Sequence, residues 1–250
     1  ARTDAGARRA GVSLCAGLPE GRSHALFTDW TNTPRGTFEK CIAGGYTAAK
    51  LKIGHDPERE AAALNALADL ALRWRLDANA SSTAGKGSIA PFLAALSPSF
   101  RAKIEFVEDP CAYNPNEWCQ LSEREKLALA LDWELPISTP PWPGAQILVI
   151  KTASQEAFPL ALAAAHAGTE IVVTHSMDHP LGQSVALWTA MRLRQRHGDL
   201  VRDGGLQAAG LYAADAFSEQ IEANGPLTTP PPGTGFGFDD LLSALPWDPR

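Results

Sequence analysis

Short apolar segments alternate with longer amphipathic segments along almost the whole chain. Period-two alternation and continuous apolar runs predict strands over 24–30, 47–53, 73–79, 104–108, 127–132, 146–151, 170–176 and 206–210. Helical periodicity predicts helices over 33–43, 57–70, 89–96, 116–125, 155–167, 181–196 and 212–220. The repeated order of strand and helix predicts a parallel sheet with helices packed against it.

The fold class expected from this alternation is α/β. A chain of 250 residues is long enough for the strands to close into a TIM-like barrel. An open, doubly wound sheet is the alternative, but no predicted strand is followed by a GxGxxG loop. Residues 1–9 have the spacing of a helix end, with Ala1, Ala5 and Arg9 four residues apart, which predicts that further sequence precedes them.

Two lysines lie on the same side of the second predicted strand. Lys50 and Lys52 are separated by about 6.6 Å along a strand, because the rise is about 3.3 Å per residue. Like charges at this distance are expected to lower each other's pKa, which makes a lysine available as a base. The alternative is the solvated, charged face of an edge strand.

Four later strands also end in ionisable residues, each about one βα unit after the one before. With the second strand, the series is Lys52, Asp77, Glu108, Asp132 and Lys151. In an α/β barrel, such positions line the active site at the C-terminal mouth. A single strand-ending acid is more often a cap for the next helix. Three of them between lysines favour a hard, oxygen-rich Mg²⁺ site and proton abstraction next to a carboxylate, with Lys52 and Lys151 on opposite sides.

The ordered motifs resemble those of the enolase superfamily, muconate-lactonizing subgroup, and are most similar to its o-succinylbenzoate synthase family. The similarity rests on Lys50-Leu51-Lys52, Leu76-Asp77-Ala78-Asn79, Val107-Glu108-Asp109-Pro110-Cys111, Ala130-Leu131-Asp132 and Val149-Ile150-Lys151. The family's fifth-strand motif usually reads Asp-Glu, whereas here Trp133 follows Asp132 and Glu134 comes one residue later.

The resemblance implies a (β/α)₈-like TIM barrel of the (β/α)₇β type, with the family's N-terminal capping domain largely absent from the chain. Residues 1–22 would be the end of a capping-domain helix and a linker, 23–220 the catalytic barrel, and 221–250 a C-terminal segment packing back on the barrel or cap. These boundaries follow from the family's domain order, not from composition.

The resemblance also implies roles for the ionisable residues. Asp77, Glu108 and Asp132 would bind Mg²⁺, with Mn²⁺ as a possible substitute, and Asn79 would lie beside the metal. Lys52 would be the base and Lys151 the cation facing the enediolate. Lys50 would hold the substrate carboxylate and tune Lys52.

The implied reaction is syn-dehydration of 2-succinyl-6-hydroxy-2,4-cyclohexadiene-1-carboxylate to o-succinylbenzoate, in menaquinone biosynthesis. The same lysines would serve an N-succinylamino acid racemase or a dipeptide epimerase. Dipeptide epimerases usually carry Asp-x-Asp at the eighth strand, a motif that 206–208 lack. A third alternative is a barrel retained as a non-catalytic binding or scaffold protein.

The loop after the seventh strand carries further candidates. The family resemblance, which places a substrate-binding turn here, implies that Ser176 and Met177, with Gly205 near the last strand, contact the substrate. His175 and His179 with Asp178 suggest a metal site or catalytic histidine, with a helix-capping loop as the alternative. Glycines 204 and 205 after Asp203 fit a phosphate cradle or simple turns.

Composition limits the partners. The formal net charge of −6 argues against nucleic acid, and no apolar run reaches the roughly 18 residues of a membrane span. Four cysteines without metal-site spacing are expected to be reduced thiols in a cytoplasmic protein. The expected partner is a small-molecule carboxylate substrate. Monomer and homo-oligomer both stay open.

Overall fold

The structure is a computed structural model that describes residues 2–80, 89–132, 135, 140–207 and 213–246. The strands are β1 (Gly21–Arg22), β2 (Ala25–Phe27), β3 (Ala48–Lys52), β4 (Arg73–Asp77), β5 (Ile104–Glu108), β6 (Leu129–Leu131), β7 (Ile147–Lys151), β8 (Glu170–Thr174), β9 (Glu222–Asn224) and β10 (Leu227–Thr229). The helices are α1 (Arg2–Arg9), α2 (Arg35–Ala43), α3 (Pro57–Asn65), α4 (Ala90–Ala95), α5 (Pro98–Arg101), α6 (Pro115–Glu125), α7 (Ala157–Ala167), α8 (Pro180–His197) and α9 (Asp239–Ser243).

Seven parallel strands, β2 to β8 in sequence order, form one curled sheet. Residues 201–205 join its two edges. On one side Arg202 N–H donates to Ile171 at 2.8 Å, and on the other His24 N–H donates to Gly204 at 2.9 Å. A Cβ atom at Gly204 would lie 2.2 Å from the Val173 carbonyl oxygen, so only glycine fits this seam. The predicted α/β barrel is therefore confirmed.

Burial on both faces of the sheet explains why the strand patterns are so apolar. Ala49 and Leu51 of β3 are fully buried in the large core between sheet and helices. A second, smaller core fills the barrel interior with Phe106, Ala130, Ile147, Val149 and Val172. Opposite faces of one strand thus serve two cores, which leaves the strand ends to carry polar side chains.

Several boundaries differ from the sequence-based prediction. Helix α3 ends at Asn65, not near residue 70, and turns replace its last part. The eighth barrel position is filled by 201–205, so the predicted strand at 206–210 is wrong for its described residues, 206 and 207; residues 208–210 lie outside the described part. Of the predicted 212–220 helix, Tyr212 is not among the described residues, and 213–220 contain only a 3₁₀ turn at Ser218–Gln220.

A small antiparallel sheet, β1-β10-β9, joins the start of the barrel to the C-terminal segment. Helix α1 also contacts that segment, because Arg8 forms an ion pair with Asp239 at 2.5 Å and Asp4 accepts the Phe236 N–H at 2.9 Å. The domain boundaries inferred from the family resemblance stay a prediction. No helix in the described ranges is both long and apolar enough to span a membrane.

A buried arginine organises the polar part of the barrel interior. Arg75 forms an ion pair with Glu105 at 2.8 Å, and its guanidinium carbon lies 5.1 Å from the centre of the Phe106 ring. Glu105 reaches it because the β4–β5 register shifts at this point, where a bulge adds one residue. The same guanidinium lies 2.8 Å from His24 Nδ1. Since arginine only donates hydrogen bonds, this nitrogen must carry a lone pair, and His24 is neutral.

We expect His24 to make the fold sensitive to acid. Burial, with the positive charges of Arg75, Lys50 and His175, lowers the pKa of His24 well below its usual value. As the pH falls below about 6.5, the unfolded chain binds a proton there that the native protein excludes, so stability falls by up to about 1.4 kcal/mol per pH unit.

His24→Gln keeps an acceptor for Arg75 but removes this proton. Urea unfolding at several pH values between 7.5 and 5.5 should therefore show a smaller loss of unfolding free energy in the variant. Equal losses in both proteins would contradict the prediction. His175 and His197, whose pKa values are also lowered, are present in both proteins and cancel in the comparison.

Candidate active site

The strand register brings the predicted ionisable residues together at the C-terminal mouth of the barrel. Lys52 pairs with Asp77 across β3 and β4, and Asp77 pairs with Glu108 across β4 and β5. Asp132 follows β6 directly, and Lys151 ends β7. Because their strands are consecutive in a parallel sheet, the side chains form one arc around the mouth.

Each carboxylate of this arc contacts a lysine ammonium group. Lys50 Nζ lies 2.7 Å from Glu108 and 3.0 Å from Asp77. Lys52 Nζ lies 2.8 Å from Asp77 and donates to the Asn79 amide oxygen at 3.0 Å. On the other side, Lys151 Nζ lies 2.6 Å from Asp132. The side chains of Asp77 and Glu108 are only 2% exposed.

Burial and mutual repulsion dominate the electrostatics of the cluster. Burial, together with the charges of Asp77 and Asp132, holds the pKa of Glu108 well above its usual range, against the opposing effect of Lys50. Although burial of Asp77 acts in the opposite direction, the charges of Lys50 and Lys52 lower its pKa. Of these two carboxylates, Glu108 is therefore the one whose charged form its surroundings disfavour.

The expectation that Lys52 lowers the pKa of Lys50 is wrong. Burial does act to lower the pKa of Lys50, but Glu108 and Asp77 outweigh it, and the pKa lies above its ordinary value. The physical reason is distance: two carboxylates contact the Lys50 ammonium group directly. Lys50 is therefore a fixed cation, and Lys52 is the better candidate for a base.

The carboxylate cluster has the chemistry of a divalent-cation site. Within the ranges that the structure describes, no three acidic, histidine or cysteine side chains converge as a ready-made metal group, and the carboxylates contact lysines instead. However, Asp132 Oδ1 is buried without a hydrogen-bond partner among the described residues, and Glu108 is repelled by both neighbouring acids. An unpartnered buried carboxylate oxygen beside further acids fits a hard cation such as Mg²⁺.

Two lysines of the cluster are more exposed than the third. The side chains of Lys52 and Lys151 are 35% and 30% exposed, whereas that of Lys50 is 14% exposed. Lys52 contacts Asp77 near one end of the carboxylate arc, and Lys151 contacts Asp132 at the other. An accessible amine at each end can transfer protons to or from a molecule bound over the carboxylates.

The loop after β8 lies beside a separate cavity of about 510 Å³, lined by residues that include Met177, His179 and Gln207. Met177 is 57% exposed, and Gly205 lies in the barrel seam. Ser176 Oγ is buried with no hydrogen-bond partner in the ranges that the structure describes. The predicted substrate contacts of these three residues stay a prediction.

The histidines of this loop serve local backbone structure. His175 Nδ1 accepts the Met177 N–H at 2.9 Å, and His179 Nδ1 accepts the Leu181 N–H at 3.2 Å as the N-cap of α8. These contacts agree with the capping alternative. Asp203 forms ion pairs with Arg22 and Arg194, which favours a structural role for this turn over a phosphate cradle.

Sequence reasoning missed the residues that hold the site's backbone. Asp109 Oδ1 accepts the Asp132 N–H at 3.1 Å, and Trp30 Nε1 donates to the Lys52 carbonyl at 2.6 Å. Glu60 accepts backbone N–H groups of the loop after Lys52. Asp109 belongs to the quoted motif that runs from Val107 to Cys111, so its position carried some signal, whereas Trp30 and Glu60 carried none. Trp133 and Glu134 lie outside the described residues.

Sequence comparison with known proteins finds a relative that matches almost the whole chain. The chain is 30% identical over 251 aligned positions to an o-succinylbenzoate synthase from Bdellovibrio bacteriovorus, covering 99% of this chain and 74% of that protein. No protein-family model matches the chain.

Solved structures share the fold. A mandelate racemase/muconate lactonizing enzyme from Roseiflexus sp. superposes with a TM-score of 0.76 at 22% identity, covering 94% of this chain and 70% of that chain. For an enolase superfamily member from Roseovarius nubinhibens complexed with magnesium, the TM-score is 0.71 at 18% identity, with coverage of 92% and 65%. A dipeptide epimerase from Enterococcus faecalis gives 0.72 at 17% identity, with coverage of 94% and 71%. With the Bdellovibrio relative and this shared barrel, the chain belongs to the o-succinylbenzoate synthase family of the enolase superfamily.

Proposed function

We propose that this protein is a Mg²⁺-dependent lyase that converts 2-succinyl-6-hydroxy-2,4-cyclohexadiene-1-carboxylate into o-succinylbenzoate, a menaquinone precursor. The observation that carries the proposal is the arc of Asp77, Glu108 and Asp132 with Lys52 at one end and Lys151 at the other. Membership of the family makes dehydration the first choice among the reactions that such an arc can perform.

Lys52 is the proposed base. Its neutral amine takes the proton from the carbon next to the substrate carboxylate, and the electrons of the broken C–H bond move into that carboxylate to give an enediolate. As the enediolate collapses, the C–O bond to the ring hydroxyl breaks. Lys52 then returns its proton to the departing oxygen, which leaves as water on the same side. Asp77 and Asn79 hold the Lys52 side-chain nitrogen in place through this cycle.

The other charged groups stabilise the enediolate. Lys50, kept protonated by Glu108 and Asp77, attracts the substrate carboxylate, and Lys151 faces the developing negative charge from the opposite side. Asp77, Glu108 and Asp132 would hold Mg²⁺, which when bound supplies Lewis-acid stabilisation of that charge. Mn²⁺ favours the same carboxylate ligands and is the proposed substitute. The expected setting is the cytoplasm.

Racemisation of N-succinylamino acids, or epimerisation of dipeptides, is the second candidate. It is favoured by the similar exposure of Lys52 and Lys151 at the two ends of the arc, since one lysine could remove a proton and the other return it to the opposite face. A non-catalytic scaffold is the third, and it has no need to bind a metal ion.

Replacement of the base should remove the reaction. For Lys52→Ala we expect kcat for dehydration to fall at least about 100-fold, the usual contribution of general acid–base catalysis, while Mg²⁺ still binds. Product formation followed by absorbance tests this. Lys40→Ala, the same change at an exposed lysine of α2, is the control and should be unaffected. Near-normal turnover by Lys52→Ala would refute the mechanism.

The carboxylate arc should bind Mg²⁺ directly. Asp132→Asn keeps the shape of the side chain but removes one charged oxygen ligand, so the Kd for Mg²⁺ in calorimetry should rise at least about tenfold. Asp199→Asn, at an exposed aspartate, is the matched control. If the unmodified protein binds no Mg²⁺, the scaffold alternative gains and the proposed reaction loses its basis.

Solvent deuterium distinguishes the two reactions. A dehydratase should form o-succinylbenzoate in D₂O without exchanging the α-proton of N-succinylamino acids or dipeptides. Mass spectrometry and NMR of the recovered compounds provide the measurement. Exchange in the unmodified protein that disappears in Lys151→Ala would instead establish racemisation or epimerisation as an activity of the same site.

A further inference from the structure

The loop that follows Lys52 is held by a buried carboxylate for which the proposed chemistry has no use. Glu60 is 2% exposed, although it lies in the first turns of α3. Its two carboxylate oxygens accept N–H groups from Gly54 at 2.8 Å, His55 at 2.9 Å and Asp56 at 3.2 Å. In the described part of the chain, no lysine, arginine or histidine forms an ion pair with it.

Burying an unpaired charge is unfavourable, so Glu60 needs compensation and a reason to be there. The compensation is visible in the three converging N–H groups, which form charge-assisted hydrogen bonds, and in the positive end of α3. A neutral side chain would fill the same space without the desolvation cost. The feature that only a carboxylate supplies is an acceptor set that holds three successive N–H groups at once.

These three N–H groups begin two residues after Lys52, and the neighbouring backbone is fixed as well. The Lys52 carbonyl accepts the indole N–H of Trp30 at 2.6 Å, and Trp30 is 4% exposed. The Ile53 N–H donates to the Asp77 carbonyl at 2.9 Å. Every backbone N–H from residue 53 to 56 therefore has a partner, and the strand end that carries Lys52 is restrained from both sides.

The Lys52 side chain itself is less restrained. It is 35% exposed, and a cavity of about 230 Å³ beside it is lined by Trp30, His55 and Glu60 among others. At its tip the amine contacts Asp77 and Asn79. Whether it can keep these contacts and also reach a substrate depends on where the Lys52 backbone is held. Gly54, with a φ of +100°, turns the chain into the loop whose N–H groups donate to the Glu60 carboxylate.

We infer that Glu60, with Trp30, is a positioning residue for Lys52: it fixes the backbone of residues 52–56 so that the amine points at the substrate. The inference rests on the proposed role of Lys52 as base. Loss of the hydrogen bonds that fix this backbone should lower kcat more than it raises KM, because binding of the substrate in the ground state depends on the other lysines and the carboxylates. Misplacement of a catalytic group by about 1 Å costs on the order of 100-fold in rate.

The test compares Glu60→Gln with Glu58→Gln, an exposed acid in the same helical turn that provides the matched change of charge. Glutamine offers one acceptor oxygen and places an NH₂ group against the remaining N–H donors. For Glu60→Gln we expect kcat to fall between about 10- and 100-fold with KM within about threefold, and amide exchange of Gly54, His55 and Asp56 to accelerate at least tenfold. Amides of β7 should not change, and Glu58→Gln should match the unmodified protein.

Trp30→Phe keeps the ring but removes the hydrogen bond to the Lys52 carbonyl, and it should give a smaller fall in kcat of the same kind. It also serves if Glu60→Gln does not fold. Faster loop exchange with unchanged kcat would overturn the inference, and so would a loss that falls on KM alone. A fall in kcat without faster loop exchange would also overturn it. An unmodified protein without dehydration activity would refute the proposed function instead, and the exchange data would still decide whether Glu60 holds the loop.

Discussion

The repulsion among three carboxylates at one end of a closed barrel is the constraint on which the site depends. Glu108 is buried beside Asp77 and Asp132, and its raised pKa expresses the cost of keeping that charge. Lys50 offsets the cost by lying between two of the acids. The barrel interior below cannot help, because apolar side chains and the Arg75 network fill it. Positive charge must therefore come from the lysines, or from a cation that enters through the mouth.

The fold could be predicted from the sequence wherever packing imposes a period. Ala49 and Leu51 face one core while Lys50 and Lys52 face the mouth side, and this alternation is visible in the bare sequence. The barrel seam gave no such signal. Gly204 pairs through its backbone alone, so the eighth strand position carries no hydrophobic pattern. The last strand was therefore predicted a few residues too late, at 206–210.

The candidate site likewise has a part that the sequence predicts and a part that it does not. Its ionisable residues were predictable because each ends a strand, one βα unit after another. What could not be predicted is how they interact: proximity of Glu108 to Lys50 reverses the pKa effect expected from a lysine neighbour along the strand. Trp30 and Glu60 lie on different elements and meet only around the Lys52 backbone, so no spacing in the sequence links them.

The backbone seam at residues 201–205 has a consequence for synthesis of the chain. All the ionisable residues of the mouth lie between positions 50 and 151, so they leave the ribosome before the segment that closes the barrel. Until then β2 and β8 are open sheet edges, which invite pairing with other chains. The nascent chain thus carries all the ionisable residues of the mouth on a sheet with two unpaired edges, until residues 201–205 close the barrel.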